Sequence, residues 1–179
     1  VKLTGSAIRE AIERGDILID PFNPAQLNPN SYDLRLSPYV VQYTDEILDA
    51  AKAPKLRHYE ICKRGLVLLP GELYLMSTVE RTATGLYVPC VEGRSSTGRL
   101  GISVHETAGF GDVGFDGTWT LEVSVKRPVR IYAGMRICQV FFETCTEIKE
   151  PGDRYKGKYN GQITPKPSGI WVERDEWLR

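Results

Sequence analysis

The sequence predicts a mainly β protein, an all-β sandwich or barrel, and three observations predict it. From Gly65 onward β-formers recur in short runs: Leu66 to Leu69, Leu73 to Val79, Leu86 to Val91, Ile102 to Val104, Thr118 to Val125, Val129 to Tyr132 and Ile137 to Phe142. Turn residues such as Pro70-Gly71, Gly85, Lys126-Arg-Pro and Ala133-Gly134 punctuate the runs at regular spacing. The run from Thr118 to Val125 alternates strictly, as a strand with one covered face does.

The elements before these runs follow from local chemistry. Thr4 can cap a short helix in which Ala7, Ile8, Ala11 and Ile12 recur at helical spacing, and Gly15 marks its end. Pro21 to Asn30 is a proline- and asparagine-rich loop, because prolines lack the donors that regular structure uses. In Ser31-Tyr-Asp-Leu-Arg-Leu the apolar residues Tyr32, Leu34 and Leu36 alternate with Asp33 and Arg35, which are placed to pair with each other, and more β-formers follow from Tyr39. The charged segment 44–64, with His58, reads as a loop or excursion. The tail 150–169 is rich in Gly, Pro and Lys. Such composition by itself favours a solvated mobile segment, while mobility with basic residues is also what a closing lid needs. The stretch 170–178 is apolar enough to dock on a surface.

Length and charge limit the alternatives. A chain of 179 residues is expected to form one domain, 1–179, with a substantial core. Lys plus Arg equals Asp plus Glu at 23 each, so no global field draws nucleic acid or an anionic membrane. No apolar run has membrane-spanning length and no secretory signal pattern stands at the start, which makes a cytoplasmic location the expectation. Cys62, Cys90, Cys138 and Cys145 form no Cys-x-x-Cys pair and each sits among apolar residues, as small core side chains do.

The chemistry concentrates between Glu92 and Ser124. Glu92-Gly-Arg-Ser-Ser-Thr-Gly-Arg packs two arginines, two serines and two glycines into eight residues. Gly93 and Gly98 let backbone pass close to a ligand, Ser95 and Ser96 offer hydroxyls, and Arg94 and Arg99 supply forks suited to phosphate oxygens. The Walker lysine is absent, so this is no P-loop; in isolation the same residues would read as a charged surface turn. On the following strand Glu122 shares a face with Thr118, Thr120 and Ser124, not with basic residues. A half-enclosed carboxylate of this kind suits a proton carrier, and an exposed glutamate on an amphipathic strand is the competing reading.

Glu92-Gly-Arg-Ser-Ser-Thr-Gly-Arg-Leu-Gly, His105-Glu-Thr-Ala-Gly-Phe-Gly-Asp-Val-Gly-Phe-Asp-Gly, Thr120-Leu-Glu and Gly157-Lys-Tyr-Asn-Gly-Gln, in this order and spacing, resemble the dCTP deaminase family of the dUTPase superfamily. Asn30-Ser-Tyr-Asp-Leu-Arg-Leu supports the match more weakly. The resemblance implies the distorted jelly-roll or β-barrel of the trimeric dUTPases, with a short N-terminal helix, sites between the subunits of a homotrimer, and a metal-free deamination.

By the same resemblance Glu122 takes a proton from water and delivers it to the base, while Ser95, Arg99 and the carbonyl of Ala108 hold that water and the glutamate. Arg94, Ser95, Ser96, Thr97, Gly98 and Arg99, with Lys158 and Gln162 of the tail, would bind the triphosphate. Asp112, Thr120 and Leu121 would contact deoxyribose or base, and Tyr155 would cover the nucleotide as part of a lid over 150–169. Magnesium would be held through the phosphates, with no protein metal site, and dTTP inhibits some relatives. Zinc deaminases show His-x-Glu followed by Pro-Cys-x-x-Cys; here Glu106 directly follows His105 and Pro89-Cys-Val-Glu has no second cysteine.

Thr107-Ala108-Gly109-Phe110 is similar to the bifunctional members, which carry dCTP through to dUMP and pyrophosphate; monofunctional relatives have a bulky residue after the alanine. Asp112 aligns with the aspartate that dUTPases use against the α-phosphate, while Gly111 stands where relatives usually have isoleucine. His105 reads as a structural residue at a strand end. A monofunctional dCTP deaminase, a plain dUTPase and a nucleotide-binding regulatory protein are the alternatives; Glu122 argues against a plain dUTPase, which would need the same phosphate loop, and Ser95, Arg99 and Glu122 together argue against the regulatory protein.

Overall fold

The computed structural model describes residues 1–178. Helix α1, Gly5–Glu13, starts where Thr4 Oγ1 accepts the Ala7 N–H at 3.3 Å. It ends at Gly15, whose φ of +80° lets the chain reverse while the Asp16 N–H bonds Ala11 O and the Gly15 N–H bonds Ile12 O. Ile8 and Ala11, one turn apart, are completely buried against the sheet.

All strand pairings are antiparallel. The strands are β1 (Ile17–Asp20), β2 (Tyr32–Tyr43), β3 (Leu56–Glu60), β4 (Leu66–Leu68), β5 (Tyr74–Thr84), β6 (Tyr87–Gly93), β7 (Ile102–Ser103), β8 (Asp116–Val125), β9 (Val129–Ile131) and β10 (Arg136–Thr144), with a short helix α2 (Ser95–Arg99) after β6. The main sheet runs β6-β10-β2-β5-β8-β7, with β1 added to β5, β3 added to β2, and β4-β9 as a separate pair. The long strands change partners along their length: β2 pairs with β10 near Tyr32 and with β3 from Tyr39. Irregular register within β2-β5, β5-β8 and β10-β2 bends the sheet around one apolar core. This is the mainly β, barrel-like architecture expected, with its short N-terminal helix.

Four local expectations are corrected. Segment 44–64 is not all loop, because β3 pairs with Tyr39–Tyr43 of β2; its apolar residues are too few to reveal a half-exposed edge strand. The Pro-rich loop contains a 3-10 turn at Pro24–Gln26, where Pro stands in the first turn, whose N–H groups have no partner within the helix. Cys62 and Cys145 are exposed, since each falls in a turn past the end of a strand; Cys138 is buried, Cys90 half-buried, and burial pushes both of these thiols up.

Asp33 and Arg35 do not pair. Across the sheet Arg35 Nε meets Glu80 Oε1 at 2.6 Å, and the fully buried Glu80 also accepts the Arg35 N–H and the Gln26 side chain. Asp33, equally inaccessible, accepts from Arg94 Nε at 3.0 Å, Arg136 Nη1 at 3.4 Å and Asn28 Nδ2 at 2.9 Å. Neighbouring strands thus supply the partners that spacing along one strand suggested.

Candidate active site

Strand β8 organises the site. Trp119, Leu121, Val123 and Val125 are buried in the core while Thr120, Glu122 and Ser124 face the other way, half-exposed. Glu122 lies opposite Leu75 of β5 and opens into a cavity of about 450 Å3. Its Oε2 accepts the Glu106 N–H at 3.2 Å; the other carboxylate oxygen has no hydrogen bond among the described residues.

The outer edge of β8 is paired by β7 only at Val125 and Ser124, so the edge near Thr118 stays open, and the tail fills it. The Thr118 N–H bonds Gln162 O at 2.9 Å and Gln162 Nε2 bonds Thr118 O at 2.6 Å. Further along, Thr120 Oγ1 takes the Lys166 N–H and the Tyr43 hydroxyl takes the Ser168 N–H. The tail thereby crosses the cavity, and Tyr155 stands beside Phe115, ring centroids 6.3 Å apart.

Ala108, Asp112, Thr120, Glu122, Tyr155 and Gln162 line this cavity together. Leu121 is 1% exposed and offers the site only its backbone. Gln162 is 5% exposed, its carboxamide engaged by Thr118 and Thr120. Lys158 pairs with Glu173 in the turn Ile170–Glu173 that precedes helix α3 (Arg174–Trp177); no residue of these two terminal turns is buried.

The segment expected to grip phosphate lies elsewhere in the same chain. None of the residues from Arg94 to Arg99 lines the cavity. Arg94 is turned inward onto Asp33 and the Arg136 carbonyl, and Thr97 is buried. Ser95, Ser96, Gly98 and Arg99 are exposed. Among the lining residues Lys166 is the one cation, against the acids Asp112 and Glu122. No group of three or more His, Cys, Asp or Glu among the described residues is arranged to hold a metal ion.

Two glycines have close contacts that explain them. A Cβ on Gly109 would stand 2.5 Å from Val91 O and 2.6 Å from the His105 ring, so a side chain there must move the loop or the imidazole. His105 is mostly buried, its Nδ1 without a hydrogen-bond partner among the described residues and its Nε2 3.9 Å from Glu92. On Gly111 a Cβ would stand 2.4 Å from Trp119 Cη2 and 2.7 Å from Pro89 O. The indole of Trp119 therefore occupies the space that an isoleucine at position 111 would need. Trp119, Phe110 and Phe115 line the cavity, a wall not singled out from the sequence because aromatic residues on a strand read as core.

A family model described as dCTP deaminase-like matches residues 2–145. The chain belongs to the dCTP deaminase-like family. Among curated relatives of this family, a protein named dCTP deaminase, dUMP-forming, from Clostridium acetobutylicum is 46% identical over 96% of this chain and 97% of its own length. One of the same name from Leptospira biflexa serovar Patoc is 49% identical, again over 96% and 97%. The crystal structure of 2'-deoxycytidine 5'-triphosphate deaminase from Agrobacterium tumefaciens matches with a TM-score of 0.64 and 21% identity, over 85% of this chain and half of that one. At that identity the likeness concerns the fold alone. No helix among the described residues is long and apolar enough to cross a membrane.

Proposed function

We propose that this protein hydrolyses dCTP to dUTP and ammonia and carries the same nucleotide on to dUMP and pyrophosphate. The observation that supports this most directly is Glu122, one oxygen held by a peptide N–H and the other turned to a cavity that also contains Asp112, Thr120 and the tail. Water adds to C4 of the cytosine; Glu122 takes its proton and passes it to N3. The proton of the new C4 hydroxyl then passes through Glu122 to the amino group, the C4–N4 bond breaks, ammonia leaves and the C4 carbonyl of uracil forms. The carbonyl of Ala108 helps to hold the water. Asp112 then directs a second water at the α-phosphorus, and the bond to the bridging oxygen breaks to release pyrophosphate.

A triphosphate brings several negative charges into a cavity that one chain lines with a single cation. The missing positive charge and hydroxyls are those of Ser95, Ser96 and Arg99, exposed on α2 without side-chain partners among the described residues. A homotrimer, in which α2 of one copy reaches the Glu122 cavity of the next, supplies them. Segment 150–169 serves as the lid, with Tyr155 and Lys158 closing over the bound nucleotide. The substrate is the magnesium complex, its ion held by the phosphates; dTTP competes for the same cavity, and the enzyme acts in the cytoplasm.

The test is to mix the protein with dCTP and magnesium and resolve the products by anion-exchange chromatography, with dUTP assayed separately. dUMP and pyrophosphate are expected. Accumulation of dUTP, with added dUTP untouched, would remove the second reaction, and no turnover of either nucleotide would remove the whole reading.

A further inference from the structure

Glu106 is the residue of loop 105–108 that is hydrogen-bonded to β8. Its carboxylate Oε1 accepts the Ser124 hydroxyl at 2.6 Å, and its own N–H donates to Glu122 Oε2 at 3.2 Å. Ser124 and Glu122 are two apart on one face of the strand, so side chain and peptide of a single residue grip adjacent positions of that face. The two carboxylates are neighbours, and each is given a donor, Ser124 for Glu106 and a peptide N–H for Glu122, in place of a basic residue.

From this geometry we infer that Glu106 is a positioning residue: bonded to Ser124, it holds the loop so that its N–H fixes the orientation of the Glu122 carboxylate. The inference rests on the reading of Glu122 as the proton carrier. The free oxygen of Glu122 then faces the cavity, and the Ala108 carbonyl, two residues along the same loop, stays in register with it. Apart from that peptide bond to Glu122, the side-chain tie is the exposed loop's one hydrogen bond to β8 among the described residues. The effect belongs to the chemical step, because Glu106 does not line the cavity and makes no contact expected to hold nucleotide.

The test compares Glu106→Ala, Glu106→Gln, Ser124→Ala and the double variant Glu106→Ala/Ser124→Ala, with Glu122→Gln as reference, by steady-state dCTP deamination and thermal melting. Glu106→Ala should lower kcat about tenfold with KM within about twofold of wild type. Glu106→Gln, whose amide oxygen accepts the same hydroxyl, should restore most of that loss, and the double variant should be no worse than either single one. Melting should stay near wild type throughout, since both residues are solvent-facing. An unchanged kcat in Glu106→Ala, equal losses in Glu106→Gln and Glu106→Ala, or multiplicative losses in the double variant would overturn the inference. Those outcomes alongside an inactive Glu122→Gln leave the proton-carrier reading standing, whereas an active Glu122→Gln removes that reading and the positioning role together.

Discussion

Replacing Glu122 with glutamine should abolish measurable ammonia release from dCTP, a fall in kcat of about 10²–10⁴-fold, the size that a positioned acid-base group contributes. The substitution keeps volume, and the amide oxygen placed where Oε2 stands accepts the Glu106 N–H, so the loop and the cavity wall stay as they are. Nucleotide binding, followed by calorimetry with dCTP and magnesium, should change by less than about threefold, because the triphosphate is held elsewhere. The amide cannot take the proton from water, and nothing else lining the cavity near it is an acid except Asp112. Turnover within a few-fold of wild type would mean that the proton travels by another route.

The largest effect on stability is expected from Glu80→Ala. Glu80 is fully buried on β5 and receives the Arg35 guanidinium, the Arg35 N–H and the Gln26 carboxamide. Removing it leaves the Arg35 guanidinium and peptide N–H at the core boundary without this acceptor, and the Gln26 carboxamide with the Asp33 carbonyl alone. Breaking such a pair from one side costs about 3–5 kcal/mol, which for a chain of this size lowers the melting midpoint by about 6–20 °C. Glu80→Gln, which keeps the shape and one acceptor oxygen, should lose less. Denaturation midpoints of both variants within 2 °C of wild type, an interval of about 0.5–1 kcal/mol, would show that water or backbone readily replaces Glu80.

How much was legible depended on whether local pattern or distant strands decided the matter. The alternation from Thr118 to Val125 placed Glu122 on the open face of β8, and Thr4 with Gly15 bounded α1 closely, because these signals are local. Pairing was not local. Asp33 and Arg35 suggested each other, while strands β5 and β10 and the residue before α2 bring them Glu80, Arg136 and Arg94. Strand β3 was hidden because an edge strand with one exposed face needs few apolar residues.

In the site, Asp112, Thr120, Tyr155 and Gln162 were placed around Glu122 by motif resemblance, and the structure brings them to one cavity. Glu106 was missed: beside His105 it looks like part of a failed zinc motif, and only the fold shows it bonded to Ser124. The substitution of Gly for Ile at 111 was visible in the sequence without its reason. Trp119 is that reason, eight residues away and folded back over the same space.

The most direct test of the whole account is subunit complementation. Glu122→Gln and Arg99→Ala, each inactive toward dCTP alone, are co-refolded in equal amounts and ammonia release is measured. If one copy's α2 completes its neighbour's Glu122 cavity, random mixing restores up to about one quarter of wild-type activity per site, since one pairing in four joins an intact Glu122 to an intact Arg99. If the mixture stays as inactive as its components while the separately refolded wild type recovers, Glu122 and Arg99 do not meet between copies, and the proposed site is wrong.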